Sequence, residues 1–291
     1  MESKIILITG ATGGIGKATA KELAKQGHTV IIHGRNVEKA QTVRNEIVAE
    51  TGNNKIDILI ADMFSLDDVK RMASEFKQKY EQLDVLINNA AAMPAKHRET
   101  TKEGFEKSIT ANLFAPFLLT ELLLDVLAKS PSARIVNVST ETHGMSRKPN
   151  FDDIQFEKKY TYSNAYAQAK LYFIWITQHL ATKLKEMGIR NITVNSLHPG
   201  TIASNLDMSK EKEKGLFWYL LVKITAKFFS TTNEKGAETS IYLATSPEAE
   251  NISGKYFVKK KIAKVNEKYY TLENEKIVWD YCMNIVKPYL S

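Results

Sequence analysis

A glycine-rich turn between an apolar run and a helix-like stretch limits the fold of this chain more than any other feature. Residues 4–20 have the sequence KIILITGATGGIGKATA. The apolar run Ile5–Ile8 predicts a buried strand, and Ile15, Ala18 and Leu23 mark one face of a following helix. The segment therefore predicts a strand, a tight turn and a helix in direct succession.

The glycines of this turn suit the binding of a diphosphate. Gly10 allows the chain to turn sharply, while Gly14 and Gly16 lack side chains that would keep a diphosphate from the backbone N–H groups. Those N–H groups and the positive end of the helix dipole attract phosphate. The spacing fits Thr-Gly-x-x-x-Gly-x-Gly and, through Gly13, also Thr-Gly-x-x-Gly-x-x-Gly. Both are dinucleotide-binding patterns, and later residues must decide between them.

Composition excludes several other classes of protein. With 43% hydrophobic and 25% charged residues, the chain is typical of soluble globular proteins. Its single cysteine, Cys282, cannot form an internal disulfide or a cysteine-based metal cluster, so no metal is expected. The net charge of +7 is spread along the chain, which argues against a nucleic-acid partner.

The location predicted from the sequence is cytoplasmic. The absence of disulfides is typical of a reducing compartment, and no secretory signal precedes the first strand. The apolar run Leu216–Val222 is far shorter than the ~20 residues that a membrane-spanning helix needs. We therefore predict no membrane span.

Strand-like and helix-like segments alternate along the chain. Predicted strands cover Ile5–Ile8, Thr29–His33, Lys55–Ile60, Leu83–Ile87, Arg134–Val138, Asn191–Ser196 and Ile252–Val258. Predicted helices after the first cover Asn36–Glu50, Asp67–Tyr80, Glu103–Lys129, Ser163–Met187 and Leu272–Val286. This order predicts an α/β fold, a single doubly wound Rossmann-type parallel sheet with helices on both faces. Residues 1–291 are predicted to form one NAD(P)-binding domain, with 202–230 as a helical insertion.

The end of the second strand bears on cofactor choice. An acidic residue at this place would bond the ribose 2′-hydroxyl of NAD. This chain instead has Arg35, whose planar guanidinium suits a 2′-phosphate, with Lys17 and Lys39 expected nearby. The sequence therefore favours NADP(H) over NAD(H), the alternative being a surface arginine without a ligand.

A tyrosine and a lysine four residues apart are candidates for acid–base chemistry. Tyr166 and Lys170 share one face of a predicted helix. A neighbouring ammonium favours the phenolate, so the pKa of Tyr166 is expected to fall from its usual value of about 10. The same spacing recurs at 219–223 and 256–260. Only the first pair follows a strand that ends in hydroxyl residues, so the other two are predicted to be solvated lysines near packed aromatic rings.

Taken together, residues 9–204 resemble the short-chain dehydrogenase/reductase family. The resemblance implies that Tyr166 is the general acid/base and that Lys170 orients the nicotinamide ribose and lowers the tyrosine pKa. It also implies that Asn112 supports a proton-relay water. The active serine of the family falls on Thr140, which keeps the hydroxyl but adds a methyl group that crowds the site.

The same resemblance implies the cofactor contacts. They are Gly10, Thr12, Gly14, Ile15, Gly16, Arg35, Asp62, Met63, Asn89, Ala90, Tyr166, Lys170, Pro199 and Gly200. One departure is Ala91, which replaces the glycine of the family's Asn-Asn-Ala-Gly sequence. Other segments resemble retinol dehydrogenases and their relatives, namely Arg134–His143, Phe151–Ile154, His198–Gly200 and Gly254–Phe257. This second resemblance implies a small apolar carbonyl or alcohol as substrate.

The leading interpretation is an NADP(H)-dependent oxidoreductase that interconverts a hydrophobic ketone or aldehyde and its alcohol by hydride transfer. Two alternatives stay open, an extended-type sugar-nucleotide epimerase or reductase and a non-catalytic dinucleotide-sensing protein. The aromatic segment 216–229 is expected either to pack on its own domain as a lid or to cover the substrate and also make peripheral contact with a membrane. Whether the chain forms a homo-oligomer is left open.

Overall fold

An eight-stranded sheet organises the residues that the computed structural model describes, 3–200 and 232–290. The strand order is β3-β2-β1-β4-β5-β6-β7-β8. Strands β1 to β7 pair in parallel, and β8 is antiparallel to β7. The strands are β1 (Ile5–Ile8), β2 (Thr29–Gly34), β3 (Ile56–Ile60), β4 (Val85–Asn88), β5 (Ala133–Val138), β6 (Ile192–His198), β7 (Tyr256–Val258) and β8 (Lys261–Ile262).

Seven long helices of the described residues cover both faces of this sheet. They are α1 (Gly14–Lys25), α2 (Val37–Thr51), α3 (Leu66–Lys79), α4 (Lys107–Ala128), α5 (Tyr162–Glu186), α6 (Asn233–Thr245) and α7 (Leu272–Val286). Alternation along β1 divides the core, because Ile6 and Ile8 pack with α1, α2 and α6 while Leu7 packs with α3, α4, α5 and α7. The prediction of a Rossmann-type α/β fold is confirmed.

The connections of the sheet place a crevice at its centre. The chain moves outward from β1 through β2 to β3, and then crosses back to add β4 on the other side of β1. The loops after β1 and β4 therefore leave the sheet in opposite directions. In such sheets ligands bind at this switch point, outside the carboxyl ends of the strands.

Two described elements were not predicted. They are helix α6 and strand β8, both in the last third of the chain. Helix α4 also begins later than expected, at Lys107, and contains a π-helical turn at Thr110–Phe114. The predicted insertion 202–230 lies outside the described residues, so the one-domain interpretation stays a prediction.

Helix α4 is the one helix of the described part that is long and apolar enough, by those two criteria alone, to cross a membrane. In this structure 72% of its most apolar window is buried. Phe114 and Leu118 belong to the core between the sheet and the outer helices. A helix in the core of a folded domain also meets these two criteria, and the burial of α4 is that of such a core helix.

Candidate active site

The turn after β1 is closely packed at its glycines. Gly10 and Gly14 have positive φ angles of 66° and 54°, a region that side chains rarely adopt. A Cβ atom on Gly10 would lie 2.8 Å from the Cα of Ala90, and one on Gly16 would lie 2.4 Å from the Gly10 carbonyl oxygen. Gly16 is therefore required by the approach of α1 to the turn, a reason that the sequence did not reveal.

The first turn of α1 has the free N–H groups that a phosphate needs. Its N-cap residue, Gly13, provides no side-chain hydrogen bond, and no acidic residue lies in the first turn. By contrast, side chains of Asn36, Ser65 and Thr271 cap α2, α3 and α7. Since the N-terminus of α1 is left without such a partner, the donors and the dipole of this helix fit a cofactor diphosphate.

Thr9 and Asn89 join the glycine turn to the loop after β4. The Thr9 hydroxyl oxygen accepts hydrogen bonds from the backbone N–H groups of Asn89 and Ala90, both at 2.9 Å. The Asn89 amide donates to the carbonyl oxygens of Thr9 at 2.8 Å and Gly10 at 3.2 Å. Asn89 therefore holds the two loops together. Thr9 was not among the predicted site residues, although it stands directly before the first glycine. Ala91, which replaces a glycine of the family, is exposed after this loop contact.

A buried histidine ties together the ends of the first three strands. The Gly10 N–H donates to His33 Nδ1 at 3.1 Å, so the ring proton lies on Nε2, which donates to the Ala61 carbonyl oxygen at 3.1 Å. His33 is 2% exposed, and burial lowers its pKa, which favours this neutral form. Sequence analysis did not identify His33, because both of its partners are distant in the chain.

Three cationic side chains were expected beside this turn, and one of them is paired with an acidic residue instead. Arg35 is exposed and makes no hydrogen bond or ion pair within residues 3–200 and 232–290. Lys39 Nζ lies 3.8 Å from the position that a Gly13 Cβ would occupy. Lys17 instead forms an ion pair with Glu46 on α2. Arg35 and Lys39 are thus the cations that this arrangement leaves beside the end of β2.

Several other residues predicted to contact the cofactor pack against, or form hydrogen bonds with, other residues of the protein. Thr12 packs against Gly34 at the end of β2, because a Cβ on Gly34 would lie 2.4 Å from the Thr12 methyl. The Asp62 carboxylate accepts a hydrogen bond from the Phe64 N–H at 3.0 Å. The side chain of Met63 belongs to a core cluster and is 8% exposed, and that of Ile15 is 9% exposed. Little of either side chain is therefore open to a cofactor.

Tyr166 and Lys170 lie on α5 as predicted, but their protonation differs from the expectation. Burial raises the pKa of Tyr166 to about 12 and lowers the pKa of Lys170 to about 7. Lys170 is 1% exposed, and its Nζ donates to the Val138 carbonyl oxygen at 3.0 Å. Tyr166 has no hydrogen-bond partner in the described part of the chain. The predicted fall in the tyrosine pKa is therefore wrong for this arrangement, because desolvation outweighs any effect of the lysine.

The two hydroxyl residues after β5 have different environments. Ser139 is 4% exposed and donates to the Lys170 carbonyl oxygen at 3.0 Å. Thr140 is half-buried, and its hydroxyl oxygen accepts from the Thr142 N–H at 3.3 Å, which caps the 3-10 turn Glu141–Met145. The buried Ser139 supports α5, so Thr140 is the more accessible of the two hydroxyls.

Asn112 lies within the π-helical turn of α4. Its amide donates to the carbonyl oxygens of Ala92 and Ser108, both at 2.8 Å. Asn112 therefore fixes the loop after β4 to the widened turn. Single π-turns inside helices are frequent at functional sites. The predicted proton-relay water stays a prediction.

The remaining candidates follow β6 and β7. Pro199 and Gly200 leave β6 directly, and Gly200 has a φ of 89°. The pair 256–260 lies on β7 and the following turn, rather than on a helix. The pair 219–223 and the segment 216–229 lie outside the described residues.

The sequence of this chain is similar to those of known dehydrogenases. Residues 4–215 match the family model of the short chain dehydrogenases. A human polyprenol dehydrogenase is 38% identical over 282 residues, which is 95% of this chain and 83% of that protein. Human retinol dehydrogenase 11 is 36% identical over 286 residues, 98% of this chain and 86% of that protein.

Solved structures show the same fold. An uncharacterised protein from Mycobacterium paratuberculosis has a TM-score of 0.77 at 25% identity, covering 98% of this chain and 93% of its own. A variant of the actinorhodin polyketide ketoreductase, solved with NADPH, has a TM-score of 0.68 at 25% identity, covering 87% and 94%. The chain belongs to the short-chain dehydrogenase family, whose members are NAD(P)-dependent oxidoreductases that act on CH–OH and C=O groups.

Proposed function

We propose that this protein is an NADP(H)-dependent oxidoreductase that interconverts a hydrophobic ketone or aldehyde and its alcohol. The observation that carries this proposal is the pairing of Tyr166 with the buried Lys170 on α5, beside the carboxyl ends of the central strands. A phenol without a protein partner and an amine without a carboxylate partner, among the residues described, suit proton transfer to a bound substrate.

The residues present fit a dinucleotide with a 2′-phosphate. The free N-terminus of α1 would hold the diphosphate, and Arg35 with Lys39 would face the added phosphate at the end of β2. The absence of an acidic residue at this strand end supports NADP(H) over NAD(H). The ketoreductase described above, solved with NADPH, supports the same choice.

The protonation of Tyr166 favours a role as acid in carbonyl reduction. When bound, the cofactor supplies a hydride to the carbonyl carbon. With a pKa of about 12, Tyr166 is protonated near neutral pH and can give its hydroxyl proton to the carbonyl oxygen. Thr140, on which the family's active serine falls, would orient that oxygen through its hydroxyl.

The proposed substrate is bulky and apolar. The names of the relatives, polyprenol dehydrogenase and retinol dehydrogenase 11, describe long apolar alcohols. In this chain Met93 and Met145 are 70% and 77% exposed, in the loops that follow β4 and β5 at the carboxyl edge of the sheet. Such flexible apolar side chains suit an adaptable hydrophobic site. We also retain, as proposals, a cytoplasmic location and a peripheral membrane contact through 216–229.

A screen of NADPH consumption tests the proposal. Aliphatic, aromatic and polyprenoid aldehydes and ketones, together with nucleotide sugars, are offered with NADPH or NADH, and the loss of absorbance of the reduced cofactor is followed. We expect turnover with NADPH that increases with the apolar size of the carbonyl. Absence of turnover with every carbonyl would favour the non-catalytic dinucleotide-sensing alternative. Turnover only with nucleotide sugars would favour the extended-type alternative.

A further inference from the structure

Three ring side chains, those of His143, His198 and Tyr256, meet near the carboxyl ends of β5 and β6, where β7 begins. The Tyr256 hydroxyl lies 2.7 Å from His198 Nδ1, a hydrogen bond across the β6–β7 pair. The His143 ring stands edge-on to the Tyr256 ring, with the centroids 5.1 Å apart and the planes at 74°. Tyr256 is 4% exposed and His143 is 6% exposed, so the contacts are sheltered from water.

Each histidine connects this cluster to a loop of the candidate site. His198 is the last residue of β6 and directly precedes Pro199 and Gly200. His143 Nδ1 lies 2.7 Å from the carbonyl oxygen of Thr140, within the 3-10 turn that follows β5. The ring of Tyr256 therefore bridges the loop after β6 and the loop that carries Thr140.

We propose that Tyr256 is a positioning residue, which fixes the loop after β6 relative to the loop after β5. Its hydroxyl holds His198 and its ring packs on His143, so the two loops keep one relative position. The catalytic consequence rests on the proposed function, in which Thr140 orients the carbonyl oxygen, and on the prediction that Pro199 and Gly200 contact the cofactor. A displacement of about 1 Å between reacting groups can cost roughly a hundredfold in rate.

The Tyr256→Phe variant separates this role from simple packing. Phenylalanine keeps the ring against His143 and removes only the hydroxyl that holds His198. The matched control is Tyr242→Phe. The Tyr242 ring packs against Phe257, the next residue of β7, at a centroid distance of 6.3 Å, and successive side chains of a strand point to opposite faces. The control thus removes a tyrosine hydroxyl from the same strand neighbourhood without touching the cluster.

Amide hydrogen exchange is the primary readout, because it needs neither cofactor nor turnover. In Tyr256→Phe we expect exchange several-fold faster at His198 and Gly200, with no change around β1 or in the 141–145 turn, whose contact with the ring remains. Tyr242→Phe should match the wild type in all these segments. Unchanged exchange after β6 in Tyr256→Phe, or an equal rise in the control, would overturn the proposal. Should Tyr256→Phe fail to fold, His198→Phe removes the same hydrogen bond and must give the same exchange pattern.

Kinetics provide the second readout. In Tyr256→Phe we expect kcat to fall roughly tenfold, since hydride transfer loses alignment. The deuterium isotope effect from 4-deuterated NADPH should rise, while affinity for adenosine 2′,5′-bisphosphate stays the same. A merely structural hydroxyl would leave the isotope effect unchanged, and that result would contradict the proposal. If the wild type turns over no carbonyl, the proposed function fails, and the exchange experiment alone decides the role of Tyr256.

Discussion

The buried amine of Lys170 links the chemistry of the site to the stability of the protein. Burial lowers its pKa from 10.5 to about 7, whereas in the unfolded chain it keeps its ordinary value. Between these two pH values the unfolded state binds one more proton than the folded state. The contribution of Lys170 to the free energy of unfolding therefore rises with pH in this window, by at most about 1.4 kcal/mol per pH unit.

The Lys170→Met variant isolates this contribution. Urea unfolding at pH 7 and pH 9 should show the wild type gaining about 2 kcal/mol relative to Lys170→Met. Other titrating groups are shared by both proteins and cancel in the difference. If the free energy of unfolding changed equally in the two proteins between pH 7 and pH 9, Lys170 would be protonated in the folded state.

Arg35 should determine the choice of cofactor. Arg35→Asp removes the proposed partner of the 2′-phosphate and supplies an acid suited to a free ribose hydroxyl. We expect NADPH affinity to fall roughly tenfold or more, with NADH affinity unchanged or improved. Arg190→Asp, another exposed arginine that lies before β6 at the opposite end of the strands, is the control. Equal affinity of the wild type for the two cofactors, measured by fluorescence titration, would contradict this assignment.

Thr140 and Ser139 should contribute unequally to catalysis. Thr140→Ala removes the more accessible hydroxyl, and we expect a larger loss of kcat than in Ser139→Ala. Ser139 bonds a carbonyl of α5, so its removal should appear mainly as a lower melting temperature. A larger loss of kcat in Ser139→Ala would place the family serine one residue earlier.

At the scale of elements, the β7–β8 hairpin has a turn that its sequence does not favour. Lys259 and Lys260 have positive φ angles of 50° and 63°, and neither is glycine. The left-handed conformation costs an L residue roughly 1–2 kcal/mol, and two-residue hairpin turns favour Asn-Gly. Replacing the pair by Asn-Gly should raise the free energy of unfolding by about 1 kcal/mol in urea titration. Lys264→Gly is the control, and an equal gain there would refute the explanation.

The elements were predicted well where apolar periodicity is strong. The first six strands were placed within a residue or two, since each is a short buried run bounded by polar residues. The predicted C-terminal helix has the bounds of α7, Leu272–Val286. Helix α6 was missed because its buried residues are small, with Gly236, Ala237 and Ser240 among them. The two-residue β8 exists only by pairing with β7, which no local pattern encodes.

At the scale of the whole molecule, the sequence identified the site but not how it is held. The glycine turn and the pair on α5 could be predicted because each depends on spacing within one element. The bonds of Thr9 to the loop after β4 and of His33 to Gly10 and Ala61 join residues that only folding brings together. The tyrosine pKa was mispredicted for the same reason, since burial is a property of the assembled core.

We propose that Tyr166 supplies the proton during carbonyl reduction with NADPH. Single-turnover NADPH oxidation by the wild type and by Tyr166→Phe tests this role, with NADPH affinity measured in parallel. We expect a loss of at least about a hundredfold in rate with NADPH affinity within a few-fold, because the ring remains and only the transferable proton is lost. A rate within a few-fold of the wild type would show that another group donates the proton.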